Sequence, residues 1–362
     1  MSLHFLRSCM KAMSDRLPTR LRKVRHARHL DTEYQKRLAT ETENFSGQVN
    51  VHDLPEIFHY WSNKHLLPMC ESLGFSSPDD FFAQHLARAS SGAIHGPARF
   101  ASIGAGNCDA EIRLALALKQ RGIEDFTIDC IDINEAMLAR GRASAQQTGV
   151  DSQINPTRGD FNAWQPAHRY DAILANQSLH HVLELENLFD AIASALTPEG
   201  LFVTADMIGR NGHQRWPEAL AIVEEFWCEL PSAYRYNRQL ERQEERFLDW
   251  DCAQQSFEGI RAQDVLPLLI ERFGFELFFA YGNVIDPFVD RSFGHHFNID
   301  RDWDRDFIDR VHARDEAELL AGRIKPTHMF TAMRKRDAGT LVCWKHLTPS
   351  FCVRKPDAGS GA

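Results

Sequence analysis

Gly104-Ala-Gly106 places two glycines one residue apart. Glycine turns the backbone tightly and lets a ligand approach the main chain. A helix starting just beyond would offer unpaired N–H groups to a carboxylate or phosphate. Two such glycines are also what an ordinary turn needs. Asp132 follows Gly106 by 26 residues, with Ile133 beside it. An acid there can accept both hydrogen bonds of a ribose diol, or it can cap the helix opening at Glu135. Gly159-Asp160-Phe161 repeats the arrangement. Its carboxylate can accept from an adenine amino group and its ring can cover the base, and a plain turn has the same composition. Asn176 and the pair His180-His181 come next. A histidine can take a proton from an acceptor hydroxyl, or it can pack the start of the following helix.

These residues fall at regular places in an alternating pattern. Strand-like runs cover Ala98–Ile103, Asp125–Ile133, Asn155–Arg158, Tyr170–Ala175 and Leu201–Ala205. Helical stretches cover Ala110–Arg121, Glu135–Gln147 and a segment through Leu196. Strand and helix alternate five times with short links, the signature of a doubly wound sheet with helices on both faces. Each candidate residue then sits at the carboxyl end of a strand, where open α/β sheets bind ligands.

The motifs Phe100-Ala-Ser-Ile-Gly104-Ala-Gly106-Asn-Cys108, Asp132, Gly159-Asp160, Asn176-Gln-Ser-Leu-His180-His181 and Leu196-Thr-Pro-Glu-Gly200 resemble the successive motifs of class I S-adenosylmethionine-dependent methyltransferases. The resemblance covers about residues 96–206 and extends to late strands near 275–281 and 327–334. It implies a Rossmann-like, seven-stranded α/β core and S-adenosylmethionine as cofactor. Gly104 and Gly106 would hold its methionine end, Asp132 with Ile133 the ribose, Asp160 with Phe161 the adenine, and Asn176 would lie beside it. His180 and His181 are the candidate catalytic residues. Ser102 is a further cofactor-binding candidate, and it is also one of two departures from the family: serine stands there for an acid, and Cys108 for the third glycine of the loop. Those departures suit an alternative, a catalytically silent cofactor-binding or interaction module. An NAD(P)-dependent oxidoreductase fits less well, because its loop would need glycine where Asp109 stands.

Residues 29–95 read as an N-terminal helical segment, with Ile57, Trp61 and Leu66 near helical spacing and Ser77-Pro78 as a cap. Residues 96–336 form the expected core domain, with insertions at 207–261 and 284–325 rich in aromatic and charged residues. Asp206, Arg210, His213, Arg215, Arg291, His295 and His296 are further candidates for facing an acceptor, and Tyr60, Trp61 and His65 for a lid. Residues 337–362 read as a C-terminal tail.

Charge narrows the partners. Residues 1–30 carry eight basic side chains against Asp15, and 1–28 read as a flexible basic arm, a targeting segment or an over-extended start. The chain is −9 overall, so the remainder is strongly acidic. An acidic body, and Asn176-Gln-Ser-Leu where enzymes acting on base amino groups carry Asn/Asp-Pro-Pro-aromatic, point away from nucleic acid. The aromatic insertions point to a small-molecule or glycan acceptor, methylated on oxygen. No apolar run reaches membrane-spanning length. Eight cysteines in 362 residues, none in a CxxC pair, indicate a reduced, cytoplasmic setting and no metal motif.

Overall fold

The first strand, β1 (Ala98–Ile103), pairs in parallel on both sides, with β2 (Phe126–Asp132) and β4 (Tyr170–Asn176). A computed structural model describes residues 54–92, 96–254, 256–335 and 339–355, with Thr32, residues 34–40 and Glu43. The basic stretch 1–28 and the residues from Pro356 onward lie outside the described residues. The remaining sheet strands are β3 (Ile154–Arg158), β5 (Leu196–Met207), β6 (Gly274–Tyr281), β7 (His328–Arg334) and β8 (Val342–Cys343). Their order is β8-β6-β7-β5-β4-β1-β2-β3, and β7 alone runs antiparallel to its neighbours. Seven strands match the expected core. The eighth comes from the expected tail, which also adds a helical turn at Pro349–Cys352 and buries Leu347 and Cys352. The tail is therefore in part a sheet edge.

Continuous apolar runs explain the central strands. Ala172 through Ala175 of β4 are fully buried, because helices cover both faces. On one face lie α3 (Pro78–Ser91), α4 (Asp109–Gln120) and α5 (Glu135–Thr148). On the other lie α6 (Leu185–Ala195) and α8 (Ala262–Arg272). The Ser77 hydroxyl accepts the Asp80 amide to start α3, with Pro78 in its first turn, as its sequence predicts.

The N-terminal helices are part of this core. Phe81, Phe82 and Leu86 of α3 join the same cluster as Phe100 and Leu114. Ahead of α3, α1 (Glu56–Trp61) and α2 (Leu67–Ser72) flank a π-helical stretch, Ser62–Leu66. The five-residue step between buried Trp61 and Leu66 falls in that wider turn, which is why the spacing is only nearly helical. The two insertions likewise share one aromatic layer. Phe226 and Trp227 of α7 (Pro217–Glu229) meet Phe288 and Phe293 around α9 (Asp286–Val289) and Phe307 of α10 (Asp302–Leu320). Among the described residues no helix is long and apolar enough to cross a membrane.

Candidate active site

The loop after β1 is built by backbone and by what crosses it. Gly104, Gly106 and Cys108 all have positive φ, at 74°, 54° and 59°. A Cβ on Gly104 would sit 2.5 Å from the Ser178 Cβ, so the loop after β4 can lie directly on the loop after β1. Cys108 adopts a left-handed backbone that favours glycine. Room for its side chain comes from Gly141 in α5, where a Cβ would be 2.8 Å from both Asn107 O and Cys108 Sγ. A mid-helix glycine costs about 1 kcal/mol relative to alanine, and here that cost makes space for the residue replacing the third loop glycine.

Asp132 binds the loop to its own strand end. Its Oδ2 accepts from Gly106 N at 2.8 Å and its Oδ1 from Asn134 N at 2.8 Å. Burial raises the carboxyl above the usual range, against these amide donors. Asn134, not Asp132, caps α5. Half-buried Ile133 follows it. Asp160 ends the β3 loop and accepts from Tyr34 Oη at 2.5 Å and Asn162 N at 2.9 Å. Phe161 and Asn176 are half-buried at the neighbouring strand ends. Ser102 differs from its expected place at the ligand. It is buried and donates to Glu111 Oε1 at 2.6 Å. Burial pushes the Glu111 carboxyl up to about 7, and its Oε2 has no hydrogen-bond partner among the described residues. A carboxyl group from α4 therefore stands beside Ser102 at the end of β1.

The histidines meet a second set of loops. Asp206, at the end of β5, is fully buried. It accepts from Ser178 N at 2.9 Å, Leu179 N at 2.7 Å and His180 Nδ1 at 2.7 Å. Burial alone would lower the His180 imidazolium, but the Asp206 carboxylate, with Glu258, holds it up at about 10. His180 Nε2 lies 3.4 Å from Glu258 Oε1, and His181 Nε2 lies 3.5 Å from Glu258 Oε2. His213 Nε2 approaches Glu258 Oε1 at 2.6 Å. Burial lowers His213, only partly offset by Glu258. Glu258 is held well below the carboxylate range because its histidine neighbours outweigh its burial.

Other candidates serve structure. Arg215 is buried on Asp286 and the Asn283 carbonyl, and Arg210 donates to the Arg215 carbonyl. His296 binds the Tyr236 carbonyl within the insertions. Tyr60 and His65 hold Asp309 of α10, and Trp61 donates to His312. These residues tie the N-terminal helices down and form no lid over the histidines. Glu258 and Tyr34 are functional candidates that sequence reasoning missed. The only local sign at Glu258 is the glycine that follows it, and Tyr34 has none. A cleft of about 350 Å³ between Trp216, Leu266, Lys325 and Cys352 includes neither the glycine-loop residues nor the histidine cluster.

A family model described as "Methyltransferase domain" matches residues 101–202. That stretch runs from within β1 into β5 and includes Ser102, Gly104, Gly106, Asp132, Asp160 and Asn176. Residues 101–202 are therefore similar to a methyltransferase domain. A curated relative, tRNA1(Val) (adenine(37)-N6)-methyltransferase of Klebsiella pneumoniae, is 34% identical over 65 residues, 17% of this chain and 26% of that protein. Among solved structures, the O-methyltransferase of a Brevibacillus brevis trans-AT polyketide synthase, in complex with S-adenosyl-L-homocysteine, is 13% identical with TM-score 0.39, covering 84% of each chain. Geranyl diphosphate C-methyltransferase of Streptomyces coelicolor is 12% identical with TM-score 0.39, covering 70% of this chain and 75% of that one. For S-adenosylmethionine the donor set fits: a glycine loop, carboxylates on two adjacent strand ends, an amide and an aromatic ring can meet a diol, an amine and a purine.

Proposed function

We propose that the protein transfers the methyl group of S-adenosylmethionine to a hydroxyl of a small molecule or glycan. Gly104 and Gly106 would receive the methionine end, Asp132 and Ile133 the ribose, Asp160 and Phe161 the adenine, and Asn176 the face toward the acceptor. When bound, that cofactor supplies an electrophilic methyl group on a sulfonium. The observation that carries the oxygen acceptor is the cluster of His180, His181, His213 and Glu258, joined to the cradle through Ser178. Such a cluster can take up a hydroxyl proton. Asp206 orients His180 and fixes the turn that carries both histidines. A small acceptor is supported by the acidic body and by the Asn176-Gln-Ser-Leu sequence.

The test is transfer of labelled methyl from S-adenosylmethionine to a panel of phenols, sugars and hydroxylated polyketides, with product acid stability separating ethers from esters. His181→Gln should lower kcat about 10²- to 10⁴-fold, the range for losing a general base. Tight cofactor binding with no turnover on any acceptor would favour the silent module that Ser102 and Cys108 suggest. Methylation of RNA in preference to the panel would replace the acceptor class.

A further inference from the structure

We infer that His180, His213 and Glu258 form a binding site for a divalent ion of the zinc type. One ligand atom from each lies within 4.8 Å of the others. The three residues come from separate places, the turn after β4, the turn after β5 and the end of the first insertion, so no sequence spacing announces them. Two imidazoles and one carboxylate form a donor set of catalytic zinc centres, whereas calcium and magnesium prefer oxygen alone.

Two features go beyond proximity. Metal-binding histidines commonly give their other ring N–H to a carboxylate, which fixes the ring and aims the ligand nitrogen. Asp206 does this for His180, accepting from Nδ1 at 2.7 Å and leaving Nε2 toward Glu258. The backbone is also shaped to bring His213 to Glu258. His213 has φ 55°, and Gly212 beside it would place a Cβ 1.9 Å from Asp251 Oδ1. Gly259, next to Glu258, would place one 3.1 Å from His213 Cε1. The two loops therefore cross in contact at the ligands themselves.

Three protein ligands leave a tetrahedral ion one position for water or a hydroxyl oxygen. An ion there would polarise an acceptor hydroxyl and favour its deprotonation. That use rests on the proposed methyl transfer, whereas ion binding does not.

The experiment is titration of the chelator-stripped full chain with Co²⁺, read by visible absorption, and with Zn²⁺, read by calorimetry. The wild type should bind one equivalent, with the cobalt spectrum of a four- or five-coordinate site containing nitrogen ligands. His213→Gln and Glu258→Gln should each weaken binding at least 10-fold, with folding checked by circular dichroism. Asp206→Asn should weaken it about 10- to 100-fold through the orientation of His180. No stoichiometric binding by the wild type, or unchanged binding in folded His213→Gln and Glu258→Gln, overturns the site. S-adenosylmethionine affinity is measured in parallel. Ion binding without cofactor binding would defeat the methyl-transfer reading and leave the metal site standing.

Discussion

The cofactor cradle and the histidine cluster adjoin at Ser178, yet they are built in opposite ways. The candidate cradle takes each residue from the end of a successive strand within 102–176, and its loops are fixed by backbone amides donating to the Asp132 and Asp160 carboxylates. The cluster takes His180, His213 and Glu258 from three distant turns and is held by buried charge. A ligand site assembled in chain order stays legible as motifs. One assembled by insertions that fold over the sheet does not.

Asp206 is where the two regions meet, so its loss should have the largest effect. It serves the amides of Ser178 and Leu179 and the His180 ring from a fully buried position. Breaking such a buried pair typically costs about 3–5 kcal/mol. Asp206→Ala should lower unfolding stability by that amount, measured in urea. A loss below about 1 kcal/mol would mean the pair does not organise the turn.

Glu111 gives the cradle its own pH dependence. Its folded carboxyl is raised to about 7 by burial, from an ordinary value of 4.5. The unfolded chain therefore releases this proton first. The group's contribution is fully present below about pH 4.5 and is lost as pH rises through about 7. The linked loss amounts to about 3 kcal/mol at most. Unfolding at pH 5 and pH 8 should show a smaller difference in Glu111→Gln than in wild type. An unchanged difference would mean that Glu111 does not carry this pH dependence.

The Cys108–Gly141 contact should be next in size. Gly141→Ala should cost about 1–3 kcal/mol by overpacking, outweighing the better helix propensity of alanine. In a Cys108→Gly background the cost should shrink, and a double-mutant cycle would report the coupling. Additive effects would show that the two residues are independent.

Much of the fold was legible for physical reasons. Strands covered on both faces leave continuous apolar runs, and Ser77-Pro78 marks a helix start. Gly104, Gly106, Asp132 and Asp160 could be placed at strand ends because the turns that follow those strands are local in the sequence. What escaped depended on distance in the chain. Ser102 is buried against Glu111, nine residues on in α4, a pairing that its own position in the sequence does not announce. Val342–Cys343 was read as tail because a two-residue edge strand has no period of its own. Glu258 acquires meaning only when Gly212 and Gly259 let two loops touch.

Tyr34 offers the smallest and most selective test. Its hydroxyl occupies Asp160, the carboxylate assigned to adenine, and Arg37 from the same helical stretch donates to the carbonyls of Ala253 and Ser256. If that hydroxyl competes with the ligand, Tyr34→Phe should raise S-adenosylmethionine affinity severalfold, about the worth of one hydrogen bond. Weaker binding would instead make Tyr34 part of the cradle.

The central claim is that the ends of β1 through β4 hold S-adenosylmethionine through Asp132. Its most direct test is calorimetric titration of wild type and Asp132→Ala with S-adenosylmethionine and S-adenosylhomocysteine. The predicted result is one-to-one binding by the wild type, weakened in the variant by about 10- to 150-fold, the equivalent of about 1.5–3 kcal/mol. Absence of binding by the folded wild type, or equal affinity in the variant, would contradict the account.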